Sequence, residues 1–521
     1  MSKKLLKSTA IVSSMTLVSR ISGLVRDVVM ANILGPGTLA DAFFVAFRIP
    51  NFLRRIFAEG AFSQAFVPVF SELTEQNTLE AKRFVNASAG FLGAVTLLMT
   101  ILGIVFAPSI IRVFAPGFID DPVKFDSTVT ALRIMFPYLF CISLVAMSAG
   151  VLNTVNRFAI PAITPVLLNL CLILAMWVLV PVLENAAQAL AVGVLIAGFV
   201  QLLFQVRPLM KEGFLPIPVI DLQNEAVRRV FSLMLPAIFS VSVAQVNMLV
   251  NTFLASFLVT GSVSWLYFSD RLMEFPVGVF GIALATVVLP GLSREHASGT
   301  AESFSAMMDW ALRWVVMIAA PATAALYLLA TPLLTTIFQY NAFSTEDVVM
   351  SATALRAFAL GVCGFILIKV LAPGFFARQD TVTPMRIGVV AVAVNIVVSI
   401  ILVRTMAHAG LAMAISIAAW VNAGLLFVAL LRAKIFMPRK GWFWFLARIA
   451  VAVAIMAACL VWLDQPPQAW YQQGLAQRVV YLLMLVGAGT GSYLLSLVAM
   501  GVRPRQLLLG QGQKVVGGDE H

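Results

Sequence analysis

Charge is scarce in this chain. Asp, Glu, Lys and Arg make up 11% of its 521 residues, where a soluble domain carries roughly 25%. With 61% hydrophobic residues, that shortage excludes a soluble body held by one anchor; most of the chain must lie in lipid. Histidine is scarcer still. His296, His408 and His521 are the whole supply. No HExxH or metal-ligand cluster is present, so no metal site is expected. The four cysteines, Cys141, Cys171, Cys363 and Cys459, stand singly inside apolar runs. Without CxxC spacing they read as small packed hydrophobes. There is no GxxxxGK(S/T), which excludes a built-in ATPase, and no GxSxG triad set. The glycine-rich "GAGTGS" at Gly487 lies inside an apolar run, where helix packing explains it. Asp120 and Asp121, ahead of Pro122, read as a solvated turn rather than a catalytic pair. The chain is therefore not expected to be an enzyme.

Long apolar runs are abundant. About fourteen reach the ~20 residues needed to cross a bilayer. They cover 9–34, 40–70, 86–114, 127–154, 159–181, 187–209, 229–258, 262–292, 305–335, 348–375, 384–403, 408–432, 444–463 and 477–500. A transmembrane β-barrel would show short alternating segments instead, so the fold class is an all-α polytopic membrane protein. The net charge of +11 does not point to nucleic acid, because the basic residues sit at the ends of apolar runs. Lys3, Lys4 and Lys7, then Lys82 and Arg83, Arg157, Arg207 to Arg229, Arg294, Arg378 to Arg386, Arg432 to Lys440, and Arg503 and Arg505 mark basic connections. The intervening connections are acidic or neutral apart from Lys124 and Arg404. Even numbers of spans separate the basic connections, which places both termini in the cytoplasm. The opening "MSKKLLK" has the look of a signal peptide, but serines and Arg20 interrupt the apolar stretch after it. It reads as a retained first helix.

An internal repeat organises the runs. "TALRIMFPYLF" begins at Thr130 and "TALRAFALGVC" at Thr353, 223 residues on. The same offset carries Pro161 onto Pro384, and an offset of 222 carries Pro68 onto Pro290. The duplicated unit holds six spans, an even number, so the two copies share one topology. The expected layout is a first lobe over 1–222, a second over 223–440, and two further helices with a tail over 441–521. Lobes related by a parallel repeat would enclose a central cleft.

The charges inside the runs are the functional signal. "SRISGLVRD" puts Arg20, Arg26 and Asp27 in the first run. Arg20 lies roughly 17 Å along that helix, near the midplane. Asp27, seven residues on, is only about 20° away around the helix and shares its face. The second run adds Asp41, Arg48, Arg54, Arg55 and Glu59, with Arg55 and Glu59 spaced as an i,i+4 pair and Pro50 expected to kink the helix. The eighth adds Asp270, Arg271 and Glu274, and Lys369 stands in the tenth. Facing lipid, Arg20, Arg26, Arg54 and Arg271 would cost on the order of 10–14 kcal/mol together. They must face water, carboxylates or an anionic ligand. Arginine suits phosphate, because its planar fork binds oxygens in pairs. Structural salt bridges between helices are the plainer alternative, and for Arg48 and Arg55 snorkelling suffices.

Four stretches, "SRISGLVRD", "DAFFVAFRIPNFLRRIFAEGAFSQAFVP", "GSVSWLYFSDRLMEFPVGVFGIALATVVLP" and "KVLAPGFFARQDTVTP", closely resemble the MurJ (MviN) family of bacterial lipid II flippases. The resemblance runs over essentially the full length. It implies two six-helix lobes plus two C-terminal helices, alternating access, and the pyrophosphate-sugar head of lipid II as cargo. Carried over residue by residue, it implies substrate-binding arginines at Arg20, Arg26, Arg54 and Arg271. It implies supporting or gating charges at Asp27, Asp41, Arg48, Glu59, Asp270, Glu274 and Lys369. Some members hold sodium between the seventh and eleventh spans, which here offer Asn247, Asn251 and Asn395 but no carboxylate. No cofactor is expected, and a coupling ion is left unidentified. The implied partners are lipid II, membrane lipids and the wall-synthesis machinery, with the chain a monomer in the bacterial cytoplasmic membrane. Competing readings are an exporter of another anionic lipid-linked oligosaccharide or of drugs, a non-transporting scaffold, and a membrane glycosyltransferase.

Overall fold

The computed structural model describes residues 3–221, 223–281, 288, 290–293 and 300–502. Arg294, His296, Arg503, Arg505 and His521 lie outside them, as do the side chains of Lys3, Lys4, Lys7 and Glu59. The described residues form helices and the turns between them. In the first half these are α1 (Lys3–Ile33), α2 (Thr38–Leu53), a π-helix π1 (Arg54–Phe62), α3 (Ser63–Gln76), α4 (Thr78–Val105), α5 (Ala107–Phe114), α6 (Pro122–Thr154), α7 (Ala159–Val178), α8 (Ala186–Glu212) and α9 (Glu225–Ser256). Then come α10 (Ser262–Pro276), a second π-helix π2 (Val277–Gly281), α11 (Ala301–Leu328), α12 (Ala330–Phe338), α13 (Thr345–Ala359), α14 (Val362–Phe376), α15 (Val382–Arg432), α16 (Trp442–Leu463), α17 (Pro467–Gln472) and α18 (Leu475–Ala499). Nine helices among the described residues are long and apolar enough to cross a membrane.

Helix starts are set by short polar residues that satisfy the first free N–H groups. Asn77, Asp121, Asn185 and Asn224 each accept a backbone N–H at the start of α4, α6, α8 and α9. Asp121 therefore has a structural task beyond a solvated turn. Thr300 and Ser303 form a capping box at α11. Gly213 ends α8 at φ 74°, a conformation that favours glycine.

The helix boundaries recur at the offset read from the sequence. Helices α4, α6 and α7 begin at 78, 122 and 159, and α11, α13 and α15 at 301, 345 and 382, so each pair differs by 223. The π-helices begin at 54 and 277, again 223 apart. Phe106 breaks α4 from α5 at φ −90°, ψ 9°, and Leu329 breaks α11 from α12 at φ −88°, ψ 15°. The repeated "TALR" arginine braces each break. Residue 108 is proline, so the Ile104 carbonyl has no i+4 donor. Arg133 Nε donates to it at 3.3 Å. Arg356 Nη2 donates to Thr331 Oγ1 at 3.1 Å, two residues past Leu329.

One expectation changes, and one division read from the sequence is kept. The second run does not simply kink at Pro50; the helix continues through it and widens into π1. The eleventh and twelfth runs are contained in α15, whose 51 residues would be about 77 Å long if straight. No bilayer is that thick. Ala407, at φ 48° and ψ −129°, breaks α15 into two.

By packing, the chain forms two units, Met1–Ser264 with Tyr340–Ser344, and Trp265–Gln339 with Thr345–His521. Helix α9 packs with the first, against π1, α3, α4 and α5, so the packing boundary falls later than residue 222. In the first unit, Phe62, Phe66 and Phe70 stack at i,i+4 spacing, with centroids 5.1 and 5.6 Å apart. Phe84 stacks on Phe66 from α4. In the second, α16 presents Phe445, Ile449, Ala452, Met456 and Leu460 to Leu485, Tyr493 and Leu497 of α18. That three-and-four spacing lets two helices interlock.

Arg478 fixes the start of α18. It is 6% exposed, and its guanidinium donates to the carbonyls of Trp470 and Tyr471 at 3.0 Å, Thr335 at 3.1 Å and Gln339 at 3.2 Å. Replacing Arg478 with Met should lower stability by about 3 kcal/mol by orphaning those carbonyls. The check is the midpoint of thermal unfolding in detergent, which Arg478→Lys should restore only in part.

Candidate functional site

In α1, Arg26 and Asp27 are buried, at 7% and 2% exposure. Arg26 donates from Nε and Nη2 to Asp27 Oδ1, at 3.0 and 2.6 Å. Its Nη1 donates to Asn169 Oδ1 of α7 at 3.0 Å. The orientation of Asn169 is fixed from behind, because its amide nitrogen donates to Ser22 Oγ at 2.9 Å. The helical period puts Asp27 on the face of Arg20; its ion pair is instead with its chain neighbour. The long arginine side chain swings around the helix to reach it, so angular spacing of backbone positions does not decide the partner. Arg20 is half-buried and has no hydrogen-bond or ion-pair partner among the described residues.

The second run divides by depth. Asp41, at 0% exposure, accepts Lys124 Nζ at 2.9 Å and Gly261 N at 2.8 Å on Oδ2, and Ser264 N at 3.0 Å and Ser264 Oγ at 2.6 Å on Oδ1. Lys124 also lies over the Phe118 ring, 4.2 Å from its centroid. By charge pattern Lys124 is only a cation on the wrong side. In the fold it is the counter-ion of Asp41, which makes Asp41 a fastening between α2, α6 and the start of α10. Arg48 Nη1 donates to Thr252 Oγ1 of α9 at 2.7 Å. Arg54 opens π1 and clasps Asn51 Oδ1 with Nε at 3.0 Å and Nη2 at 2.6 Å. Arg55 is exposed. The expected i,i+4 pair with Glu59 falls on a side chain outside those described. It also lies in a π-helix, where the i→i+5 turn changes which residues are neighbours.

In the second unit, Arg271 Nη1 donates to Glu274 Oε2 at 3.0 Å and Nη2 to Tyr267 OH at 3.3 Å, with the guanidinium over the Tyr267 ring. The i+3 pairing expected for Glu274 is present. Asp270 is half-buried. Lys369 is exposed, with no hydrogen-bond or ion-pair partner among the described residues. Within the first unit the structure thus gathers Arg26 and Asp27, and sets Asp41 apart with Lys124. Pattern reading missed Asn169, Ser22, Asn51, Thr252 and Tyr267, which supply neutral oxygens to arginines or hold those oxygens in place. A lone asparagine within the apolar "LLNLC" was the available signal for the first.

The family model described as lipid II flippase MurJ matches residues 30–481; Arg20, Arg26 and Asp27 precede it. A probable lipid II flippase MurJ of Vibrio cholerae is 45% identical over 514 residues, which is 97% of this chain and 98% of the relative. A lipid II flippase MurJ of Burkholderia cenocepacia is 41% identical over 463 residues, 88% and 90% of the two chains. A solved lipid II flippase MurJ in an inward closed conformation matches at a TM-score of 0.81 and 25% identity, over 96% of this chain and 100% of that one. An inward-facing multidrug resistance MATE family transporter matches at 0.66 and 15% identity, over 82% and 98%; that likeness shows the shared fold alone.

Removing Lys124 should leave a buried carboxylate without its cation. Lys124→Met is expected to cost about 3–5 kcal/mol, and Asp41→Asn in the same chain to recover most of it. Thermal unfolding of the two single variants and the double variant checks this; equal losses that simply add would show no coupling.

Proposed function

The chain belongs to the lipid II flippase family MurJ, and we propose from that premise that Arg20, Arg26, Arg54 and Arg271 bind the pyrophosphate-linked head of lipid II. It is a multi-pass membrane transport protein and not an enzyme. The observation that carries the site reading is Arg20. A half-buried guanidinium in a membrane helix, with no protein anion among the described residues, is the group most in need of one. The diphosphate of a lipid-linked sugar supplies paired oxygens in the geometry of an arginine fork.

Arg26 and Arg271 already have partners in the protein. Asp27 and Asn169 keep Arg26 satisfied when no cargo is present. Glu274 does the same for Arg271 through a pair whose side chains are 37% and 52% exposed. An exposed pair contributes little, about 0–1 kcal/mol, so a diphosphate can displace it. The carboxylates then break and remake pairs as the protein changes state. Asp270, Arg48, Glu59 and Lys369 take supporting parts.

The wider reading is fourteen spans in two six-helix lobes, 1–222 and 223–440, related by the repeat, with two further helices and a tail over 441–521. The recurrence of helix starts at 223 residues supports it. Both termini lie in the cytoplasm, the protein works as a monomer in the bacterial cytoplasmic membrane, and it hands its cargo to the wall-synthesis machinery. Movement is powered by the membrane potential or an ion gradient.

Alanine at Arg20, Arg26 or Arg271 should each abolish rescue of a flippase-depleted cell while the protein still reaches the membrane. Lipid II binding should fall about tenfold or more for each, the loss of one charge-assisted contact. Normal growth of all three variants sinks the assignment. Displacement of bound lipid II by drugs would favour an exporter.

A further inference from the structure

The connector between α8 and α9 reads in sequence as a cytoplasmic loop. Its chemistry suits a different place. Residues 214–220, "FLPIPVI", are not helical. Phe214 is buried edge-on against Phe70, at 5.3 Å between centroids. Beyond it the side chains turn outward: Ile217 is 68% exposed, Val219 50% and Ile220 69%. Such a run of apolar residues would not be presented to water without cost, at roughly 25 cal/mol per Å².

The backbone is equally unusual. Pro216 and Pro218 have no N–H. Only Ile217 and Val219 donate between positions 216 and 219, and one residue of α4 takes both. Asn86 Oδ1 accepts Ile217 N at 2.9 Å, and the Asn86 carbonyl accepts Val219 N at 3.1 Å. The Leu215 and Ile220 N–H groups and the carbonyls of the segment have no protein partner among the described residues, so this backbone needs water or headgroups beside it while its apolar side chains do not. Gly90 lets the strand lie flat. A Cβ there would sit 2.2 Å from the Val219 carbonyl oxygen, main chain that cannot swing aside.

Depth can be read along the same helix. Lys82 marks the cytoplasmic end, its Nζ 3.4 Å from where a Cβ on Gly213 would lie. Asn86 stands one turn, about 6 Å, beyond Lys82, and Gly90 two turns, about 12 Å. About 6–12 Å inward from a basic helix end spans the boundary between the headgroups and the acyl chains of one leaflet.

We infer, resting on the topology proposed above, that residues 214–220 form a strap at the boundary of headgroups and acyl chains in the inner leaflet, with Ile217, Val219 and Ile220 inserted among lipid acyl chains and Asn86 as its clasp. The strap thereby fastens the connector of α8 and α9 to α4 within the membrane.

Nitroxide labels at Ile217→Cys and Ile220→Cys test this, in a chain whose four cysteines are replaced, reconstituted in phospholipid vesicles. The labels should collide several-fold more with oxygen than with a water-soluble nickel chelate. Gly90→Val, which expels the strand, should reverse that preference, and Asn86→Leu should shift it the same way while Asn86→Asp holds it. Labels open to the nickel chelate in the parent chain overturn the proposal. Labels reached by neither reagent also overturn it, since protein would then cover the strap. If the cysteine-free chain does not fold, the unmodified chain can be irradiated with a phospholipid carrying a diazirine in its acyl chain. Adducts within 214–220 support the strap. Adducts at Leu97 and Leu98 of α4 with none in the strap refute it.

Discussion

A guanidinium inside a membrane protein has to be given an anion, a dipole or a ligand, and the arginines of this chain differ in which they receive. Arg26 has a carboxylate and an amide. Arg133 has the one carbonyl that Pro108 leaves open. Arg478 has four main-chain carbonyls. Arg20 has nothing among the described residues. Helix breaks, polar residues in apolar runs and the packing of α18 arise from these needs. A cation that is satisfied by the protein shapes the fold; one that is not shapes what the fold can bind.

The strength of each pairing decides whether it can take part in transport. Asp41 is fully enclosed, with Lys124 and three donors at the start of α10. Breaking such a pair exposes a charge to low dielectric and costs several kcal/mol. Arg271 and Glu274 lie in the open, where solvent and salt weaken their attraction. Both pairs contain charges singled out in the sequence, yet one suits a fastening and the other an exchangeable contact. Burial separates them, and burial is not visible in a residue's identity.

Much of the architecture was legible in the sequence. Apolar runs of spanning length gave the helices, and a four-residue echo at Thr130 and Thr353 gave the offset at which helix starts recur. The charges within the runs marked the candidate residues, because their cost in lipid is large wherever the helix faces. Partners were harder to read. The period of a helix gives the direction of Cβ, but an arginine side chain reaches far enough to choose among several neighbours, so Asp27 met Arg26 rather than Arg20. Lys124 looked misplaced because the charge rule for connections assumes a solvated cation, and this one is buried. The π-helices left no pattern at all. One added residue in a turn rotates everything beyond it by roughly 100°, a change that counting along the sequence does not register.

Arg478 has a consequence for how the sequence can drift. The atoms it holds are main-chain carbonyls, present whatever side chain stands at Thr335, Gln339, Trp470 or Tyr471. The side chains at those four positions do not make the grip, although Trp470 and Thr335 are fully buried and held by their own packing. Arg478 itself has no full substitute, because no other side chain offers five donors in a rigid fork. A single position therefore carries the hydrogen-bonding requirement for a junction built from several segments, and the residues around it answer to packing instead.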